Sequence, residues 1–233
     1  MPSGEANNNV ASLAQAVVIQ QSEMSISQWA GGSTTQLAIY PPHSSVAAQD
    51  FLWRFSSATV EQSGAFTRFP QHQRLLALRQ GAGFAFAVEA KLAGGVHNAA
   101  NQTATHQAEV TRQQQTLRFA GAFASSARLL DGAVTDINLM LSAGYSGNLL
   151  ALPLSQQRQP LLLARPEHST LLLWTDEVAL DIHLGDQQLS LASGDLCLLP
   201  DWPLAQVPEL CAPQARASQT VVIAWLKAEA PGC

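Results

Sequence analysis

The sequence predicts an all-β protein, built as a sandwich or a barrel of short strands. Short apolar segments with β-branched or alternating residues recur along the chain, turn residues such as glycine and proline separate them, and helical patterns are scarce. Hydrophobic residues make up 47% and charged residues 12% of the 233 residues, a composition typical of a compact globular protein. The chain is therefore long enough and apolar enough to bury a substantial core.

The elements follow in order along the chain. Residues 1–16 read as a flexible leader with at most a short helical turn at 11–16, and Gly31-Gly32 reads as a turn. Segments rich in Asn, Gln and Thr at 97–107, and in Pro at 201–218, read as loops. The predicted strands are 17–19, 34–40, 51–58, 74–79, 84–89, 117–119, 136–141, 149–152, 161–163, 170–174, 178–184, 188–191, 195–199 and 220–226.

A weak internal repeat predicts two halves. The strand, turn and strand at 75–88 resemble those at 171–182, although hairpins resemble one another by default. A repeat of this kind places the seam near 142–147. We therefore predict an N-terminal β-barrel half at 17–141 and a C-terminal half at 142–233 packed against it.

Charge and composition narrow the partners. The formal charge is −5 and Lys and Arg form no cluster, which argues against nucleic acid and anionic membranes as partners. No apolar run approaches the ~18 residues of a membrane span, and residues 1–9 do not resemble a signal peptide. Cys197, Cys211 and Cys233 are an odd, widely spaced set that suits a reducing compartment. We expect a cytoplasmic protein.

Motifs for metals, cofactors and nucleophiles are missing from the sequence. No two of the six histidines stand at i, i+2, so a metal site on a strand is not expected. There is no Gly-x-Ser-x-Gly motif. Gly81-Ala82-Gly83 lacks the third glycine and the following helix of a dinucleotide site. We predict neither a metal nor a cofactor.

Strand parity groups the polar residues. Side chains alternate across a strand, so Arg54 and Ser56 share one face of 51–58, and Asp136, Asn138 and Met140 share one face of 136–141. An ordinary half-exposed sheet would explain this pattern. A ligand cavity lined by these residues, and walled by Met140 and Trp29, would explain it equally well, since such pockets are mostly apolar with a few convergent polar groups.

The polar residues suit a carboxylate ligand. Arg54 could hold a carboxylate through two hydrogen bonds, while Asn138 and Ser56 supply donors and acceptors. Asp136 could act as a general base, or it could be the ion-pair partner of an arginine. The Trp29 ring could form the floor of a pocket or close the end of a barrel.

Several motifs, taken together, make the chain similar to the HutD/Ves family. These motifs lie in the expected order between residues 20 and 145. They are Trp29-Ala30-Gly31-Gly32-Ser33-Thr34, Trp53-Arg54-Phe55-Ser56-Ser57-Ala58, Gly64-Ala65-Phe66-Thr67-Arg68-Phe69-Pro70 with Arg74, Phe119-Ala120-Gly121, and Leu130-Asp131-Gly132 with Asp136-Ile137-Asn138-Leu139-Met140.

The resemblance implies a cupin-type jelly-roll barrel, duplicated as a bicupin. It also implies a bacterial cytosolic protein that senses or regulates histidine utilisation and is not known as an enzyme. The family's shared pocket residues, carried over one by one, fall on Trp29, Thr34, Arg54, Ser56, Arg74, Asp136, Asn138 and Met140. Three positions depart from the family pattern by lacking an acid, and we expect all three, Gln36, Gln73 and Ala122, to surround the shared pocket.

The functional prediction is a non-catalytic protein that binds a small carboxylate metabolite, with histidine-breakdown acids such as urocanate or formylglutamate as candidates. Two alternatives stay open. One is a metal-independent isomerase or hydrolase with Asp136 as general base and Arg54 orienting the substrate. The other is an assembly or regulatory partner without a pocket. The oligomeric state is not specified by the sequence, and a homodimer is one option.

Overall fold

The computed structural model describes residues 12–91, 103–111 and 115–230. Within these ranges the regular structure consists of β-strands and two short 3-10 turns, Leu13–Gln15 and Gln21–Glu23. The predicted all-β class is confirmed. The strands are β1 (Val17–Ile19), β2 (Ser25–Trp29), β3 (Gly32–Tyr40), β4 (Trp53–Val60), β5 (Gly64–Ala65), β6 (His72–Gln80), β7 (Phe84–Lys91), β8 (Thr103–Val110), β9 (Thr116–Ala120), β10 (Ala124–Leu129), β11 (Val134–Ser142), β12 (Tyr145–Pro153), β13 (Gln159–Pro160), β14 (Ser169–Trp174), β15 (Leu180–Leu184), β16 (Gln187–Leu191), β17 (Leu196–Trp202), β18 (Glu209–Cys211) and β19 (Thr220–Ala228).

The strands form four antiparallel sheets. Six strands in the order β2-β3-β4-β11-β6-β9 and four in the order β5-β10-β7-β8 make up the first half of the chain. Five strands in the order β1-β17-β14-β19-β12 and four in the order β13-β18-β15-β16 make up the second. Strand β1 thus pairs in a sheet of the C-terminal half, although residues 17–19 fall within the range predicted for the N-terminal half.

The two halves share one order of strand pairing. Strand β6 pairs with β9 and β11, as β14 pairs with β17 and β19. Strand β7 pairs with β8 and β10, as β15 pairs with β16 and β18. Strand β4 flanks β11 as β12 flanks β19, and β5 flanks β10 as β13 flanks β18.

The apolar residues form layers that hold the four sheets together. One cluster, which includes Leu76 and Phe86, fills the space between the two N-terminal sheets. A second cluster contains Phe55 and Leu139 of the six-stranded sheet together with Leu172 of the five-stranded sheet, so these two sheets pack back to back. A third cluster fills the C-terminal half. Burial on this scale is the main favourable term in folding.

A buried arginine also joins the halves. Arg79 of β6 is 1% exposed, and its guanidinium lies 2.6 Å from Asp176 Oδ1 and 3.3 Å from Glu177 Oε2 in the turn after β14. The same side chain donates to Thr220 Oγ1 on β19 at 2.6 Å. A buried charge of this kind requires such partners, because an unpaired one would be costly.

Two predicted loops contain strands. The polar segment predicted as a loop at 97–107 is strand β8 from Thr103 onward, while residues 97–102 lie outside the described residues. The loop predicted at 201–218 contains β18. The strand predicted at 161–163 is wrong, because the pairing in that region involves Gln159–Pro160. Polar strands with one face in solvent carry no run of apolar residues, which is why β8 resembled a loop.

The chain start and strand β2 also differ from the sequence prediction. Leu13, within the predicted leader, is buried in the C-terminal core, and residues 1–11 lie outside the described residues. Every residue of β2 is exposed, so the strand had no burial pattern to reveal it. Within the described residues, no helix has the length and apolar character needed to cross a bilayer.

Candidate functional site

The floor of the candidate site is formed by three neighbouring strands of the six-stranded sheet. The register sets Met140 of β11 between Arg54 of β4 and Arg74 of β6. Two residues along β11, Asn138 stands opposite Ser56. Because alternate residues share a face, these side chains point to the same side of the sheet, while their apolar neighbours point to the opposite layer.

Asp136 continues the same face of β11. Its partners across the strands are Ala58 on β4 and Leu78 on β6, and Ala58 in turn pairs with Thr34 on β3. The polar floor therefore runs from the two arginines, past the Asn138 amide, to the Asp136 carboxyl. This order is set by backbone pairing.

The side chains enclose a pocket of about 230 Å³, which we call the arginine pocket. The structure brings every predicted site residue to its wall, and whether a ligand binds there stays a prediction. The lining residues are Ser27, Trp29, Thr34, Val46, Arg54, Ser56, Ala58, Ala65, Phe66, Thr67, Phe69, Arg74, Asp136, Asn138 and Met140.

Trp29 lies at the rim of the arginine pocket, on the exposed edge strand β2, and is 39% exposed. Its ring occupies the space beside Gly31, where an added Cβ would lie 2.2 Å from the Trp29 Cζ3 atom. The predicted turn at Gly31-Gly32 thus has a second role, because Gly31 leaves room for the indole. Gly32 permits a close approach to the Thr59 carbonyl, 1.9 Å from an added Cβ.

Arg54 is buried, and its partners are neutral. Its Nε donates to Gln36 Oε1 at 3.1 Å and its Nη1 to Ser56 Oγ at 3.3 Å. Burial lowers the pKa of the guanidinium to about 10, which still leaves it charged at neutral pH. The side chain is held in position without being neutralised.

Arg74 is surrounded by aromatic rings. Its Cζ lies 5.2 Å from the ring centre of Phe66, 5.7 Å from that of Phe69 and 5.2 Å from that of Phe119. Its Nη1 donates to the Thr67 carbonyl, and its Nε is buried without a hydrogen-bond partner in the described structure. Burial lowers its pKa to about 10, Asp136 opposes that change and Arg54 adds to it. Cation–π contacts stabilise the charge.

Asp136 is the most deeply buried acid of the site, at 1% exposure. Burial raises the pKa of this carboxyl to about 7, although the charge of Arg74 works in the opposite direction. Among the described residues, no arginine nitrogen lies within 4.0 Å of its oxygens. The ion pair considered from sequence is therefore not formed, and Asp136 Oδ1 is left without a hydrogen-bond partner there.

The balance of charge favours an anion. Two buried guanidiniums face the arginine pocket, and Asp136 is the one carboxyl that lines it among the described residues, with a pKa that burial raises to about 7. Of the acid-lacking positions, Gln36 contacts Arg54. The expectation that all three surround the pocket is wrong, because Gln73 lies on the opposite face of β6, where it accepts from Arg118, and neither it nor Ala122 lines the pocket.

Sequence reasoning missed the aromatic side chains around Arg74. Phe66 and Phe69 stand in a Gly-x-Phe-x-x-Phe-Pro motif that marked the region without showing where the rings point. Phe119 on β9 stands opposite Arg74 through strand pairing. The sequence contained one signal for these contacts, which was an aromatic residue in the alternating pattern of a strand beside a buried arginine.

The matching interior of the C-terminal half is apolar. The strands equivalent to β4, β11 and β6 carry Leu150, Ile223 and Leu171 on their inner face, all in or against one hydrophobic cluster. No group of His, Cys, Asp or Glu able to hold a metal occurs among the described residues of either half. The polar face that forms the arginine pocket is therefore a feature of the six-stranded sheet in the N-terminal half, and the equivalent strands of the C-terminal half do not repeat it.

Comparison with known proteins identifies the relatives. Protein Ves from Escherichia fergusonii is 28% identical over 121 residues, which cover 51% of this chain and 53% of Ves. A conserved protein of unknown function from Pseudomonas aeruginosa superposes with a TM-score of 0.67 at 22% identity, covering 92% of this chain and 99% of that one.

Two further structures share the fold. HutD from Pseudomonas fluorescens SBW25 has a TM-score of 0.62 at 20% identity, covering 92% of this chain and all of the other. Oxalate decarboxylase from Bacillus subtilis has a TM-score of 0.57 at 4% identity, covering 91% and 77%. At these identities the structures establish a cupin-like all-β fold and nothing more. A profile of the HutD family matches residues 21–210, so the chain belongs to the HutD family, as its motifs predicted.

Proposed function

We propose that this protein binds a small carboxylate metabolite in the arginine pocket without transforming it. The observation that carries the proposal is the pair of buried guanidiniums, Arg54 and Arg74, neither of which has a carboxylate within 4.0 Å among the described residues. Buried cations are costly unless an anion accompanies them. A ligand carboxylate would supply that anion.

The size and geometry of the pocket support a small ligand. Its volume of about 230 Å³ lies below the ~300–1,000 Å³ of pockets for drug-sized molecules. Arginine is suited to planar, bidentate recognition of carboxylates. The position of Met140 between Arg54 and Arg74 sets the backbones of both arginines side by side on the floor, so that both side chains line one pocket.

The family suggests the biological context. Membership of the HutD family favours a role in sensing or regulating histidine utilisation in the cytoplasm. The acids formed during histidine breakdown, urocanate and formylglutamate among them, are then the first ligands to test. Each carries the carboxylate that Arg54 and Arg74 would hold.

A thermal-shift panel of these acids tests the proposal. A ligand present at about 100 times its dissociation constant stabilises the native state by about 2.7 kcal/mol, which raises the melting temperature by several degrees. We expect at least one of the acids to do so, and we expect Arg54→Ala to remove the effect. A panel without stabilisation, or one that Arg54→Ala leaves unchanged, would refute the proposal.

Arg118→Ala is a matched control for Arg54→Ala. Arg118 lies on β9 of the same sheet and donates to Gln73 and to the Gly147 carbonyl, away from the arginine pocket. Loss of its side chain should leave the ligand-induced shift intact. A loss of the shift in both variants would indicate a general effect of removing arginine.

Asp136 favours a second candidate function, a metal-independent isomerase or hydrolase. A buried carboxyl with a pKa of about 7 and a free oxygen could accept a proton from a substrate held by Arg54. Turnover of a carboxylate substrate that disappears in Asp136→Asn would support this alternative. Binding of the same substrate without any turnover would exclude it for that substrate.

The strand order of the two halves bears on how the fold arose. We propose that the two halves are duplicated cupin-type jelly rolls, and their common order of strand pairing supports this. In this account the N-terminal half keeps a polar face for a ligand, and the matching face of the C-terminal half carries apolar side chains such as Leu171 and Ile223. A homodimer stays a prediction, which light scattering of the purified protein would test.

A further inference from the structure

Two buried acceptors on β11 have no donor. Oδ1 of Asp136 and Oδ1 of Asn138 are both inaccessible to solvent and make no hydrogen bond within the described part of the chain. Both side chains line the arginine pocket and lie on one face of one strand. A buried acceptor left unpaired typically costs about 1–3 kcal/mol, so two of them on one wall are unusual in a folded protein.

The neighbouring side chains do not supply the missing donors. The residues paired with Asp136 on either side are Ala58 and Leu78, which carry no polar hydrogen. Arg54 already donates to Gln36 and to Ser56. Arg74 donates from its Nη1 to a backbone carbonyl, and its Nε is buried and unpaired among the described residues. Neither acceptor is paired with these donors in the described structure, so both remain available to a ligand.

The arginines and the unpaired acceptors lie along the same floor. The backbones of Arg54 and Arg74 stand level with Met140. The Arg54 guanidinium reaches from there to Ser56 and Gln36, which stand level with Asn138. Asp136 lies two residues beyond Asn138, about 7 Å further along the strand. A carboxylate held by Arg54 would therefore lie beside Asn138, with Asp136 further along the same face.

We propose that the ligand carries an N–H or O–H donor in addition to its carboxylate, and that Asn138 and Asp136 accept hydrogen bonds from it. This inference rests on the proposed function, since the carboxylate is the group that sets the ligand's direction. It narrows the ligand class from carboxylates in general to carboxylates with a donor group, such as a ring N–H, an amide N–H or a hydroxyl. The raised pKa of Asp136 agrees with an acceptor that water does not solvate.

A matched pair of probes tests the donor. We would measure by calorimetry the affinities of 3-(pyrrol-2-yl)propanoate and 3-(furan-2-yl)propanoate, which have the same carboxylate and nearly the same shape. The pyrrole ring has an N–H donor where the furan ring has an oxygen. The cost of an unpaired buried acceptor predicts that the pyrrole binds roughly 5- to 150-fold more tightly.

Variants assign the preference to its residues. Asp136→Leu and Asn138→Leu keep the approximate side-chain volume, remove the acceptor oxygens and should each bring the affinity ratio of the two probes close to one. Asp181→Leu is the matched control, because Asp181 lies on β15 of the other half, accepts from Ser190 and should leave the ratio unchanged. A near-native melting temperature would show that a variant is folded, and one folded variant is sufficient to test whether its residue is an acceptor.

The outcomes separate the two proposals. Equal binding of the pyrrole and the furan, or tighter binding of the furan, would overturn the donor proposal and leave the carboxylate site standing. Binding of neither probe would overturn both. A pyrrole preference that persists in both Asp136→Leu and Asn138→Leu would overturn the assignment of these residues as the acceptors.

Discussion

Replacing Asp136 by Asn should stabilise the protein, and more strongly as the pH rises. Asp136 is 1% exposed, and burial raises the pKa of its carboxyl from its ordinary value of 3.8 to about 7. The native state therefore binds the proton more tightly than the unfolded state does. An asparagine resembles the protonated carboxyl in shape and is never ionised.

The size of the effect follows from the pKa values. Each pKa unit corresponds to about 1.4 kcal/mol, so ionising Asp136 costs the native state roughly 4 kcal/mol once the pH is above 7. At pH 5 the native carboxyl is still protonated and the unfolded one is not, which costs roughly 2 kcal/mol. The stability difference between Asp136→Asn and the natural chain should thus grow by about 2–3 kcal/mol between pH 5 and pH 8.

Urea unfolding of both proteins at pH 5, 6, 7 and 8 measures this difference. Taking the difference between the two proteins removes the contributions of all other titrating groups, because both proteins contain them. Ser56→Ala is the control, since it changes a neighbouring polar side chain without altering a titratable group. Its stability difference from the natural chain should be the same at every pH.

A difference that stays constant with pH in Asp136→Asn would refute the reasoning. A difference that shrinks as the pH rises would do so more strongly, because it would mean that the folded protein stabilises the Asp136 carboxylate. Either result would imply that Arg74 or Arg54 lies close enough to Asp136 to compensate for its burial. The electrostatic account of the arginine pocket would then be wrong.

Three further substitutions have predictable effects. Gln36→Glu places a carboxylate against the Arg54 Nε, which lies 3.1 Å from the present amide oxygen. This variant should bind carboxylates about tenfold or more weakly in a calorimetric titration, because the new acid competes with the ligand for the guanidinium. Gly31→Ala should shift the emission of Trp29 with little loss of stability, since the new methyl group meets the movable end of the indole; an unchanged emission spectrum would contradict this. Arg79→Met should destabilise the fold by about 3 kcal/mol in urea unfolding, because it leaves two acids at the junction of the halves without their cation. A variant as stable as the natural chain would show that the junction depends on apolar packing alone.

The polar floor of the site could be predicted from sequence because it depends on local geometry. Alternation along a strand places Arg54 with Ser56, and Asp136 with Asn138, whatever the rest of the fold does. The family resemblance then added Arg74, which parity alone did not connect to the other strand. The structure confirms that these residues share one face of one sheet.

The walls of the site could not be predicted in this way. The rings of Phe66 and Phe119 meet Arg74 through the packing of a loop and an outer strand, which no local period encodes. Strand β2 is exposed along its whole length, so it lacks the apolar alternation that marks a half-buried strand. Its position is fixed by pairing with β3.

Contacts between distant parts of the chain also escaped sequence reasoning. Arg79 and Asp176 are 97 positions apart, and the pairing of β1 with β17 joins residues about 180 apart. Nothing in either segment alone identifies its partner, because ion pairs and edge pairings depend on where the fold brings the two segments. Asp136 forms no ion pair among the described residues, and this too depends on the fold, because the sequence offered both arginines as partners.

We propose that Arg54 and Arg74 together bind a carboxylate in the arginine pocket. The most direct measurement is a calorimetric comparison of 3-(pyrrol-2-yl)propanoate with its primary amide, titrated into the natural chain, Arg54→Gln and Arg74→Gln. We predict that the natural chain binds the acid at least tenfold more tightly than the amide, and that each variant loses most of this preference. Equal binding of acid and amide by the natural chain, or a preference unchanged in both variants, would contradict the account.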